Sequence, residues 1–199
     1  MSSNTITVEF KPKYPKAKKI VPLLLVVLVI IADQITKYLV AKNIPYYTED
    51  PRFLIPELHQ DMMNNFLNLI YICNKGIAFS IGQGWATNIR GFLFVLIPII
   101  VLFVVLGIYI KNDSFTQLQR WAIAGIAGGG FGNLIDRIMA LFNYRKGVVD
   151  FIDVKFYGIF GYERWPTFNV ADSAVVVCGV LLVISFIFTI KNEHTKGDE

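Results

Sequence analysis

Two aspartates carry the strongest chemical signal in the sequence. Asp172, in Trp165-Pro166-Thr167-Phe168-Asn169-Val170-Ala171-Asp172-Ser173, stands at the threshold of Ala174 to Ile190, a run without a charged side chain. An ionisable group at the entrance to hydrocarbon costs about 2.5–3.5 kcal/mol on insertion scales, so its presence marks a functional site. Asp150, in Val148-Val149-Asp150-Phe151, comes from a separate segment. Two carboxyls that approach each other share one proton: the ionised member activates a water, the protonated member donates to a scissile carbonyl, and no metal is needed. Asp136 competes as the partner and ranks lower, because Asn133 and Arg137 stand beside it and would keep it ionised and engaged. Asp153 has the weakest case. Asn169, three residues before Asp172, shares its face if both are helical. The plain alternative is that Asn169 or Asp172 only caps a helix N-terminus.

Other hydrolytic chemistries lack their parts. The chain has two histidines, His59 and His194, no His-Glu-x-x-His pattern, no cysteine cluster and no Gly-x-Ser-x-Gly elbow. Cys73 and Cys178 read as small buried hydrophobes. A Ser-Lys hydrolase could pair Ser173 with Lys37, but no motif positions a base.

The elements that must position these groups are membrane helices. Of 199 residues, 54% are apolar and 17% charged, a composition that excludes an ordinary soluble enzyme. Four runs reach the roughly 20 residues needed to cross a bilayer: 20–41, 91–110, 121–142 and 170–190. Lys11, Lys13, Lys16, Lys18 and Lys19 precede the first run and place residues 1–19 in the cytoplasm as a basic extension. The first run continues through Asp33 and Lys37 without a cleavage site, so it is a retained helix and not a signal peptide. Four spans then put both termini, including the tail 191–199, inside.

In that topology Asp33 with Lys37, Asn133 with Asp136 and Arg137, and Asn169 with Asp172 all fall toward the outer ends of their spans. Three polar clusters at one depth imply a shared site near the outer leaflet. Taken singly, Asp33 and Lys37 could be a self-neutralising helix pair. Gly125, Gly128, Gly129, Gly130 and Gly132 in the third run predict close helix packing. Phe66 to Gly82, broken at Asn74-Lys75-Gly76, predicts two short strands around a turn, and Gly147 to Phe160 a further extended segment. Residues 44–65 read as loop or short helix. The expected class is an all-α membrane protein, four transmembrane helices with a small extracytoplasmic β element.

The motifs run in the order of a known family. Asp33-Gln34-Ile35-Thr36-Lys37, Asn74-Lys75-Gly76-Ile77-Ala78-Phe79, Gly128-Gly129-Gly130-Phe131-Gly132-Asn133-Leu134-Ile135-Asp136-Arg137, Val148-Val149-Asp150-Phe151 and Phe168-Asn169-Val170-Ala171-Asp172-Ser173 span nearly the whole chain. On these residues the chain resembles signal peptidase II, the lipoprotein signal peptidase, a membrane aspartic endopeptidase of bacteria. The resemblance implies that Asp150 and Asp172 are the catalytic pair. It implies that Asn133 and Arg137 line the cleft and hold the substrate backbone, with Asn169 and Ala171 beside the pair and Gly129 and Asp136 in support. Asn74 and Gly76 would present a loop that closes over the substrate, and Asp33 with Lys37 would brace the bundle or contact the cleft.

The implied substrate is a prolipoprotein whose cysteine already carries diacylglycerol, cut just before that cysteine in the cell membrane by a monomer. The implied inhibitor is globomycin. No cofactor, metal or nucleic acid is expected. The link from Arg137 to Gly147, the loop 44–65 and the basic extension are longer than the family pattern. The alternative from another class is a proton- or ion-coupled carrier, for which intramembrane Asp, Lys and Arg are equally natural. The absence of an inverted repeat and the position of the polar groups away from the midplane argue against it.

Overall fold

The apolar residues of the long helices face outward and the charged ones inward, the reverse of a soluble core. The computed structural model describes residues 16–46, 60–61, 66–74 and 87–197. Leu24, Leu28, Phe103, Ile108, Val177 and Phe188 are each more than half exposed, whereas Asp33, Lys37, Arg120 and Asp136 are fully buried. Such a surface suits hydrocarbon, where backbone groups must be satisfied inside helices and polar side chains must find each other.

Helix α1 is Lys16–Ile20 and α2 is Leu23–Asn43. Strands β1 (Gln60–Asp61) and β2 (Leu67–Asn74) follow. Next come α3 (Thr87–Lys111), α4 (Gln117–Leu141) and β3 (Val148–Val154), then a 3-10 turn at Ile159–Gly161 and α5 (Val170–Gly197). Among the described residues three segments are long and apolar enough to cross a membrane: Lys18–Asn43, Gly91–Lys111 and Val170–Ile190. The run expected at 121–142 lies in α4, whose glycines, Asn133, Asp136 and Arg137 leave it less apolar than the other three.

Helix α4 packs against α2, α3 and α5. Its small residues permit this. A Cβ on Gly129 would lie 2.3 Å from the Ala171 carbonyl oxygen of α5, and one on Gly128 3.1 Å from the Val26 backbone of α2. The glycine run is therefore a packing surface, as its composition indicates. At the start of α4, Thr116 and Gln119 form a capping box. Arg120, fully buried, donates to the carbonyls of Tyr109 and Asn112 and closes the C-terminal end of α3.

The first half of the segment expected to form two strands is a strand, and the rest of the turn and the second half of that segment lie outside the described residues. Strand β2 lies between β1 and β3, antiparallel to both, with Ile72 opposite Asp150 and Asn74 opposite Val148. Among the described residues β2 ends at Asn74, and its long partner β3 comes from beyond α3 and α4 in the chain. Sequence pattern marks extended segments but does not choose partners distant in the chain. Residues 75–86, and with them Gly76, lie outside the described residues, as does most of 44–65 apart from its start and Gln60–Asp61.

Candidate active site

Strand β3 alternates its side chains between two environments. Val149 and Phe151 join Val40 and Ile44 in an apolar cluster that fixes the sheet to the end of α2. Asp150, between them and only 2% exposed, points instead at Asn169, whose amide nitrogen donates to Asp150 Oδ1 at 2.7 Å. The backbone N–H groups of Phe151 and Ile152 both donate to Phe168 O, tying β3 to the residues that lead into α5.

Asp172 comes from the first turn of α5. Its backbone N–H donates to Asn169 Oδ1 at 2.9 Å, and its Oδ2 accepts the Asn169 N–H at 3.2 Å. This is a reciprocal capping box. The capping expectation holds, and the cap aims the Asp172 carboxylate, whose other oxygen accepts from Asn133 Nδ2 at 2.7 Å. Asn169, fully buried, also donates to Asn133 Oδ1 and Val149 O. One asparagine consequently contacts both carboxylates.

Burial, then the Asp172 charge, pushes the Asp150 carboxyl up to about 6, against opposing hydrogen bonds from Asn169 and Asn74 and the charge of Lys37. Asn74 thus reaches the site from the end of β2. Arg137 lies close enough to interact electrostatically with both Asp150 and Asp172, and its buried Nε has no hydrogen-bond partner.

Beneath the two carboxylates lies a second polar layer. Lys37 Nζ contacts Asp33 Oδ2 and Asp136 Oδ2, each at 2.8 Å, and donates to Asn133 Oδ1 at 2.9 Å. Asp33 Oδ1 accepts the Ala171 N–H at 3.0 Å, and a Cβ on Gly132 would lie 2.7 Å from Asp33 Oδ2. Asp136 is indeed engaged, but not by its sequence neighbours: its partners are Lys37, Arg145, Gln34 and the Val149 N–H. Helix geometry explains the difference: Arg137, adjacent in the chain, faces apart from Asp136, while Asn133, three residues back on the same face, shares Lys37 with it. Asp153 is bound by Arg164 through both oxygens and by Asn68. Gln34, which also donates to Gly132 O, and Arg145 were not legible as site residues. Gln34 lies in the Asp33–Lys37 motif, whose pattern gives it no role, and Arg145 lies in the long link after Arg137, which carries no motif.

Ser173 Oγ donates to Asn169 O at 2.9 Å, and the ammonium of Lys37 is fully occupied by its three acceptors. The geometry thus gives a Ser-Lys pair no base.

A family model described as "Signal peptidase (SPase) II" matches residues 25–188. The chain belongs to the signal peptidase II family. It is 46% identical over 176 residues to a lipoprotein signal peptidase of Treponema denticola, covering 88% of this chain and 94% of that one. It is 43% identical over 170 residues to the lipoprotein signal peptidase of Treponema pallidum, covering 85% and 84%. A solved bacterial membrane enzyme, determined by the in meso method at 1.9 Å resolution, is 31% identical with a TM-score of 0.65 over 83% of this chain and 92% of that one. Membership of this peptidase family, together with several apolar helices, identifies a multi-pass membrane protein and gives the carrier alternative no support.

Proposed function

We infer that this chain removes signal peptides from lipoproteins by aspartic chemistry, with Asp150 and Asp172 as the catalytic pair. The observation that carries the reading is the position of Asn169, which hydrogen-bonds both carboxylates at once. The family and the names of the relatives supply the substrate class: a prolipoprotein, cut just before its diacylglyceryl-modified cysteine.

The raised pKa of Asp150 makes it the proton carrier and leaves Asp172 as the base. A water between them gives a proton to Asp172 and attacks the scissile carbonyl carbon, while Asp150 gives its proton to the carbonyl oxygen. The tetrahedral diol then collapses: the C–N bond breaks, a proton passes from Asp172 to the leaving amine, and Asp150 recovers its own from the diol hydroxyl. Arg137, with its free Nε, and Asn74 are placed to hold substrate carbonyls. Lys37, Asp33 and Asp136 brace the floor, with Gly129 and Ala171 allowing α4 and α5 to meet there.

In this reading α4 is the third of four spans, its polar face shielded by α2 and α5. Both termini are cytoplasmic, and the site lies near the outer leaflet of the bacterial cell membrane. A lipid-bearing substrate stays in the bilayer, so its scissile bond must be met at that depth. The enzyme acts as a monomer, and globomycin occupies the same cleft.

The test is cleavage of a diacylglyceryl-modified prolipoprotein in detergent with a chelator present. Asp150→Asn and Asp172→Asn should each lower the rate by about a thousandfold or more. Asp153→Asn, whose parent carboxylate serves Arg164 and Asn68, should retain turnover. Normal cleavage by Asp150→Asn would sink the pair.

A further inference from the structure

Between the two carboxylates the chain makes a compact excursion that the proposed chemistry leaves unused. Beyond β3, residues 154–165 fold back on themselves: Phe156 N–H donates to Glu163 O, Gly158 N–H to Tyr162 O, and Trp165 N–H to Val154 O, with Lys155 and Arg164 in an antiparallel bridge. The tip turns through Tyr157 and Gly158, at φ 52° and 81°, and then through the 3-10 turn. A non-glycine residue in the left-handed region is unfavourable, so the fold holds Tyr157 there against its own preference. The Phe156 and Trp165 rings pack 5.1 Å apart, and Arg164 pairs with Asp153 of β3. The excursion is a rigid extension of the sheet.

Its outer surface is apolar and aromatic. Tyr157, Ile159, Tyr162 and Trp165 are 58%, 56%, 52% and 44% exposed, although the hairpin is too well braced to be an unstructured loop. A rigid cluster of this kind, with Lys155 stacked over the Tyr157 ring, matches the boundary between lipid headgroups and acyl chains, where tyrosine and tryptophan concentrate and lysine meets phosphate. Continuity supports the same occupant: only four residues separate Trp165 from Val170, where an apolar span begins.

We propose that the 154–165 hairpin docks through Tyr157, Ile159, Tyr162 and Trp165 on the outer-leaflet lipid surface and sets the depth of Asp150 and Asp172. This rests on the outer-leaflet placement of the site. Because β3 and the entry to α5 are tied by the Phe168 hydrogen bonds, anchoring the hairpin fixes both carboxylates relative to the bilayer.

Trp165 reports the contact directly. The full chain carrying Trp85→Phe and Trp121→Phe is reconstituted in phosphatidylcholine–phosphatidylglycerol bilayers. Its remaining emission should be blue-shifted, lose most of its intensity to lipid brominated near the headgroup end of the acyl chain, lose less to lipid brominated near the terminal methyl, and resist iodide. Free quenching by iodide with no bromine effect overturns the proposal. So does emission that responds only when prolipoprotein is added, which would make the hairpin a substrate dock. Should that background fail to fold, a nitroxide on Tyr162→Cys in a chain with Cys73→Ala and Cys178→Ala reads the same depth by oxygen and nickel relaxation. Ile159→Asp with Tyr162→Asp should slow cleavage in bilayers while leaving the rate in detergent unchanged; equal rates in both would count against depth setting. Quenching does not depend on turnover, so failure of the anchor and failure of the peptidase reading give different results.

Discussion

Asn169 Nδ2 lies 2.7 Å from Asp150 Oδ1 while the same residue's side-chain Oδ1 and backbone N–H form the capping box with Asp172. One residue therefore supplies both the helix cap and the contacts to the two carboxylates, its side chain reaching Asp150 and its backbone N–H reaching Asp172 Oδ2. Their contributions separate by substitution. Asn169→Ser keeps an oxygen for the cap and loses the amide donor; Asn169→Ala loses both. Both variants should lose most of their cleavage rate, but only Asn169→Ala should bear the capping penalty of about 1 kcal/mol on top of the lost buried hydrogen bonds. Thermal unfolding in detergent compares them, and full activity in Asn169→Ser would mean the amide link is dispensable.

The raised Asp150 pKa predicts a stability that depends on pH. The folded protein binds that proton more tightly than the unfolded chain, so the stabilisation is complete below the ordinary value of 3.8, declines as pH rises through about 6, and is absent above. A shift of that size corresponds to about 3 kcal/mol. Asp150→Asn carries no such penalty and should unfold at a higher temperature than the parent at pH 8. The difference should shrink toward pH 4; a constant offset at both would refute the assignment.

The ammonium of Lys37 sits between two carboxylates with no exposure to solvent. Lys37→Met leaves Asp33 and Asp136 buried without their common cation, a change that costs about 3–5 kcal/mol. Folded yield in detergent should fall accordingly. Pairing Lys37→Met with Asp136→Asn should recover part of the loss, measured as a double-mutant cycle.

Close packing of α4 on α5 sets the spacing between Asn133 and Asp172. Gly129→Ala places a methyl 2.3 Å from the Ala171 carbonyl oxygen, which belongs to backbone and cannot rotate away. Overpacking of this kind costs about 1–3 kcal/mol. Turnover should fall further than stability, because Ala171 adjoins Asp172. Gly107→Ala, where the added methyl meets nothing within 4 Å, is the matched control.

Much of this was legible from residue type and order. A charge inside an apolar run is costly, so Asp33, Lys37, Asp136 and Asp172 had to find partners or a use. The glycines of α4 marked a contact surface, and five motifs in order carried the family. Those are local properties, and sequence displays them. Which groups meet is a different matter. Asp136 is beside Arg137 in the chain but bonds Lys37 and Arg145 in space, because neighbouring helical residues face apart while α2 crosses the inward face of α4. Strand β2 pairs with β3 across two intervening helices, a partner that the local pattern around Asn74 does not name. Asn169 could be read as a cap, and nothing in its own segment required its side chain to reach Asp150 as well. That decision depends on β3 being held against the start of α5, since only then does Asp150 come within reach of the amide that the cap has already fixed.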